Sequence, residues 1–81
     1  MGIWTLYDPD IERAVFYDSV RERPVPYLSF IGTDAREQAE SFLAWLDEQG
    51  LLFGLVTKGE NEARHEEWAK ACLDDEGRLR E

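Results

Sequence analysis

Apolar and polar positions change period along the 81-residue chain. Residues 2–7 (GIWTLY), 12–18 (ERAVFYD) and 25–31 (VPYLSFI) are short runs rich in aromatic and β-branched residues, which reads as three strands. The period then lengthens. Within residues 33–50, TDAREQAESFLAWLDEQG, the residues Ala35, Ala39, Phe42, Leu43 and Leu46 recur at helical spacing and form one apolar stripe, with Trp45 at its border. Thr33 or Asp34 is placed to cap the first turn, Asp34 and Glu37 have the spacing of a capping box, and Gly50 supplies the stop. About fifteen helical residues give a rod of roughly 22 Å, long enough to cover a small sheet.

Punctuation between the runs supports the same division. Asp8-Pro9-Asp10 is a turn signal, because proline presets its torsion and Asp bonds nearby backbone, so the first two strands pair as a hairpin. Ala14 and Phe16 point one way and Val15 and Tyr17 the other; the set expected to face the helix is Trp4, Leu6 and Phe16. Residues 19–24 form a polar connection with Arg21 and Arg23, and Pro24 and Pro26 suit a strand end or an edge. In the third strand Leu28 and Phe30 share one face, with Tyr27 and Ile31 on the other, and Gly32 ends it.

Beyond Gly50, residues 51–57 (LLFGLVT) are sized for a fourth strand or for a loop that plugs the core. Residues 60–76 read as a second helix with Asn61 as cap and Gly77 as stop. Its apolar stripe is narrow and anchored by Trp68, and residues 78–81 read as a frayed tail. The β-β-β-α-β-α order predicts an α+β fold in one domain over residues 1–81: an antiparallel three- to four-stranded sheet, a meander at its start, with two helices.

Composition narrows the function. A hydrophobic content of 43% with three Trp, four Phe and three Tyr argues for a folded globule. Eighteen acids against nine bases give a net charge of −9, which opposes direct binding to nucleic acid or anionic membranes and favours basic partners. Cys72 is the one cysteine, so no internal disulfide forms, and a reducing cytoplasm is the simplest compartment. Residues 1–7 lack the basic start and long apolar run of a signal peptide, and no run approaches the roughly 20 apolar residues of a membrane span. The expectation is a soluble cytoplasmic protein.

Catalytic constellations do not assemble. His65 and Cys72, the one histidine and the one cysteine, lie seven residues apart on the second helix, about 10.5 Å along its axis and beyond hydrogen-bond reach. Cys72 is expected inside and His65 near the surface. HEEWAK lacks the second histidine of a zinc-protease helix. Asp8, Asp10 and Glu12 alternate like a calcium loop, but Arg13 and Ser19 occupy the places of its glycine and bidentate glutamate, so a hairpin turn explains them better. No glycine-rich phosphate loop is present, and the chain reads as a non-enzyme without cofactor or metal.

Acid is unevenly spread. Residues 1–33 hold five acids and three arginines, whereas residues 34–81 hold thirteen acids and six bases. The candidate partner-binding residues are therefore Asp34, Glu37, Glu40, Asp47 and Glu48 on the first helix, and Glu60, Glu62, Glu66, Glu67, Asp74, Asp75 and Glu76 on the second. The last three stand at a helix carboxyl end, where negative charge is unfavourable by up to about 1 kcal/mol each. The bland reading of any one of them is a solvated helix face.

In length, charge and compact α+β pattern over the whole chain, the sequence resembles the small acidic anti-CRISPR proteins of phages and mobile elements, a group without a shared motif. Some of its members block DNA binding by CRISPR surveillance complexes through acidic surfaces. The resemblance implies an inhibitor that mimics DNA and occupies the nucleic-acid-binding surface of a basic partner, such as a surveillance complex, in the host cytoplasm. The alternative is an acidic adaptor or immunity-type protein that binds one partner through exposed aromatics, with Trp45, Tyr7, Tyr17 and Tyr27 as anchors. The chain is expected to act as a monomer, although a narrow second-helix stripe and partly apolar outer strand faces leave a homodimer open.

Overall fold

A computed structural model describes residues 2–80, with the side chain of Phe53 outside the description. Three strands, β1 (Ile3–Asp8), β2 (Arg13–Asp18) and β3 (Arg23–Ile31), form an antiparallel sheet in the order β1-β2-β3. Two helices, α1 (Ala35–Glu48) and α2 (Lys58–Cys72), follow and pack on one face of it. The architecture is an α+β meander with a helical layer. Residues 51–57 do not add a strand: Leu52–Gly54 make one 3-10 turn, and Leu52 and Leu55 are buried as a plug.

The strand faces correct one expectation. In register, Ile3 opposes Asp18, Thr5 opposes Phe16 and Tyr7 opposes Ala14 on the helix side, whereas Trp4 opposes Tyr17 and Leu6 opposes Val15 on the far side. Phe16 faces the helices as expected, but Trp4 and Leu6 do not: they are 56% and 48% exposed. Both faces of β1 carry apolar residues, and bulk alone misassigned it. The inward face is settled by Ile3, which is buried, and by Tyr7 packed at the edge of the core.

An aromatic cluster forms the centre of the core. Phe16 stacks on Phe42 with centroids 5.9 Å apart, Phe30 meets Phe16 edge-on at 5.8 Å, and Trp68 meets Phe30 and Phe42 edge-on at 5.5 and 5.6 Å. These are the offset and T-shaped arrangements that aromatic quadrupoles favour. The Trp68 indole Nε1–H donates to Ser41 Oγ at 3.3 Å, so the buried ring leaves no orphan donor. Ala35, Ala39, Phe42 and Leu46 of α1 are buried and Leu43 is half-buried, as its stripe predicts. Trp45 lies half-buried at the border.

Helix ends differ from the sequence reading. Asp34 occupies the N-cap position of α1 but makes no side-chain capping bond, and the expected capping box does not form. Thr57, not Asn61, caps α2: its Oγ1 accepts from Glu60 N–H at 3.2 Å. Asn61 is buried and donates from Nδ2 to Pro26 O at 2.6 Å, which ties α2 to β3, while its Oδ1 meets no donor among the described residues. The tail is not frayed. Past Cys72 the chain turns back over Asp74–Arg78, Leu73 bridges Leu79, and Arg80 N–H donates to Cys72 O at 2.8 Å. Gly77, with φ +79°, is the turn glycine rather than a helix stop. Glu81 lies outside the described residues.

Candidate partner-binding surface

β3 carries the irregularity from which the site is built. Its pairing with β2 shifts between Val15 and Tyr17, and Tyr27 adopts φ +60°. That conformation is uncommon for a bulky residue and marks local strain. The bulge changes the strand's alternation, so that Val25, Leu28 and Phe30 all point into the core while Tyr27 stands out from it, 69% exposed. Pro24 and Pro26, on either side of Val25, lack the N–H groups that a regular ladder would need.

Against this bulge lies α2. Tyr27, Leu28 and Ser29 on one side and Glu62, His65 and Glu66 on the other enclose an open groove of about 300 Å³. Lys58 Nζ sits 4.9 Å from the centroid of the Tyr27 ring and 3.9 Å from Glu62 Oε1. The aromatic face thus already receives a cation from this chain. The Lys58–Glu62 pair is exposed on both sides, and such pairs contribute about 0–1 kcal/mol, so an incoming cation displaces it at small cost. His65 forms the inner wall. Its ring packs 5.5 Å from both Phe30 and Trp68 and 6.2 Å from Phe42, deeper than the surface position expected of it. Burial holds its pKa below the ordinary 6.5, with neighbouring Glu66 pulling the other way. Cys72 is half-buried rather than inside the core.

All the candidate acids, Asp34, Glu37, Glu40, Asp47, Glu48, Glu60, Glu62, Glu66, Glu67, Asp74, Asp75 and Glu76, are exposed. They are not equivalent. Glu40 pairs with Arg36 and Glu67 with Arg64, each at 3.3 Å. On a 3.6-residue period Glu62 and Glu66 share one flank of α2 while Glu60 and Glu67 share the other, so Glu66 and Glu67 do not act side by side. Asp74 is committed to its turn: Oδ1 accepts from Glu76 N–H and Arg78 N–H at 2.9 Å each, and the Arg78 bond leads in holding its carboxyl below the usual range. Asp74, Asp75 and Glu76 therefore lie past the end of α2, and the expected dipole penalty does not apply to them as helix residues.

The aromatic anchors divide likewise. Tyr27 is exposed, whereas Tyr7, Tyr17 and Trp45 are half-buried; Trp4, expected inside, is the exposed tryptophan. The basic pair Arg21 and Arg23 is structural: Arg21 binds Asp18, and Arg23 donates to Val56 O at 3.1 Å. Asp8 Oδ1 accepts from Asp10 N–H at 3.0 Å, the bond of a hairpin turn. Among the described residues no helix is long and apolar enough to cross a membrane. In comparison with known proteins, no family model, no curated protein and no solved structure matches the chain.

Proposed function

We propose that the chain is a non-catalytic, acidic protein-binding domain that occupies the nucleic-acid-binding surface of a basic partner, as a DNA mimic of anti-CRISPR type. The observation that carries the reading is the groove in which Tyr27 faces Glu62 and Glu66. A guanidinium or ammonium from a phosphate-binding surface fits this chemistry, taking the ring face by cation–π attraction and the carboxylates by charge-assisted hydrogen bonds. Exposed acids along α1 and the far flank of α2 extend the negative field and steer a basic surface toward it. Arginines that hold DNA phosphates are the natural counterpart.

The test is a gel-shift assay of a candidate CRISPR surveillance complex on its target DNA, titrated with wild-type protein and with the Glu62→Lys/Glu66→Lys variant. Wild type blocks the shift, the block weakens as salt shortens the Debye length from about 10 Å at 0.1 M, and the double reversal raises the inhibitory concentration by about tenfold or more. An unchanged block by the reversed variant overturns the reading. A second reading, an adaptor held through aromatics, draws on the exposure of Tyr27. It predicts salt-insensitive capture of a partner that is lost in Tyr27→Ala and retained in the charge reversals.

A further inference from the structure

Among the described residues, no helix packs on the sheet face turned away from α1 and α2. Trp4, Leu6, Val15, Tyr17 and Ile31 lie on it, with Trp4, Leu6 and Ile31 56%, 48% and 75% exposed. Ile11, 58% exposed, folds from the first hairpin turn toward Leu6 and Val15 and lines a depression of about 290 Å³ with them. A contiguous apolar patch of this kind on a small domain marks an interface.

Charge narrows the occupant. The strand residues on this face include one acid and one base, Asp8 and Arg13, which are register partners at the same end of the sheet. The strand residues of the face are therefore neutral in sum, whereas most of the acids follow residue 33, on the helices and the turn after α2. A basic protein or a nucleic acid finds no field to bind here. We infer that the occupant is a second copy of this chain, packed sheet to sheet in a two-fold dimer, in place of the monomer expected from the sequence.

Three physical points favour that assembly. Sheets pack about 10 Å apart and each helical layer adds about 8–10 Å, so the acidic surfaces of the two copies stand roughly 30 Å apart. At physiological ionic strength the Debye length is about 8 Å, and the repulsion between two chains of charge −9 is screened at that distance. Second, a two-fold axis makes the interface self-complementary, and with one acid and one base among its strand residues the face brings no net charge to it. Third, the area suffices. Two strands of six residues and one of nine span roughly 14 Å across and 20–30 Å along, and Ile11 extends one end. With side-chain relief this buries on the order of 1,100 Å² over both copies, at the small end of specific interfaces, where weak and transient association is found. Such a dimer presents one acidic groove on each outer side.

Sedimentation equilibrium over about 1–500 µM protein tests this, a range that brackets a micromolar constant. The mass should rise with concentration from 9.4 kDa toward twice that value. Leu6→Glu, at an exposed position, should keep the wild-type circular dichroism and melting curve while raising the dissociation constant by about tenfold or more. Arg13→Asp should weaken the dimer, and the swap Asp8→Arg/Arg13→Asp should restore it. A monomer throughout the range, or a dimer that folded Leu6→Glu leaves unchanged, overturns the inference. Neither outcome bears on the acidic groove, which the Glu62/Glu66 reversals test separately.

Discussion

The Asp18 carboxylate, 1% exposed on the helix side of the sheet, holds the Arg21 guanidinium at 2.8 Å. The same carboxylate accepts the backbone N–H groups of Val20 and Arg21 at 3.0 Å each, closing the turn between β2 and β3. Burial by itself would raise the Asp18 pKa, but the Arg21 side chain and the two backbone donors outweigh it and hold the pKa below the ordinary 3.8. The charged form is the native form. Asp18→Ala strands those donors and should cost about 1–3 kcal/mol, with Asp18→Asn recovering part of it. Because the folded pKa is depressed, this stabilisation is present above pH 3.8 and is lost as pH falls through the folded value. Urea unfolding of wild type and both variants at pH 7 and pH 3 checks the magnitude and the sign.

Trp68 carries more of the fold than its helix pattern suggests. The narrow stripe of α2 leaves this ring as the main apolar link from α2 to Phe30 and Phe42. Trp68→Ala should cost about 3–5 kcal/mol. Against a total of about 4–12 kcal/mol for a domain of this size, that leaves α2 undocked or the chain unfolded. Trp68→Phe keeps most of the packing, loses the bond to Ser41, and should cost less. Thermal melts with far-UV detection separate the two.

His65 gives stability an acid-side dependence in a milder range. Its folded pKa lies below 6.5 because half-burial among Phe30, Phe42 and Trp68 disfavours the imidazolium. The unfolded chain therefore binds the proton first, and stability falls as pH drops below 6.5 toward the folded pKa. His65→Gln should flatten that slope between pH 7.5 and pH 5.5. An unaltered slope in the variant would assign the pH response to other groups.

The sheet meander and α1 were legible because local pattern and tertiary environment agree there: strand-length apolar runs bounded by turn residues, and a helix whose stripe matches its buried face. Where two faces of an element compete, the sequence is silent. Trp4 and Leu6 outweigh Ile3 and Thr5 in bulk, yet they face outward because the pairing of β1 with β2 puts Ile3, Thr5 and Tyr7 over α1. Asn61 resembled a cap because its type suits one, while its burial depends on Pro26, a residue 35 positions away. The acids of the candidate surface were visible by count alone. Their grouping was not, because the groove requires the Tyr27 bulge, for which Pro24 and Pro26 are the only local hint.

The strand order carries a kinetic consequence. Each strand pairs with its sequence neighbour, so the sheet forms by closing two short loops, and their closure entropy is small. Helix docking comes at longer range, with the Asn61–Pro26 bond and the Trp68–Ser41 bond joining residues 35 and 27 positions apart. Folding should therefore proceed from hairpins to helices, on the millisecond scale of mixed two-state domains, with the closing of α2 over the β3 bulge as its late event. The groove exists only once that last step is complete.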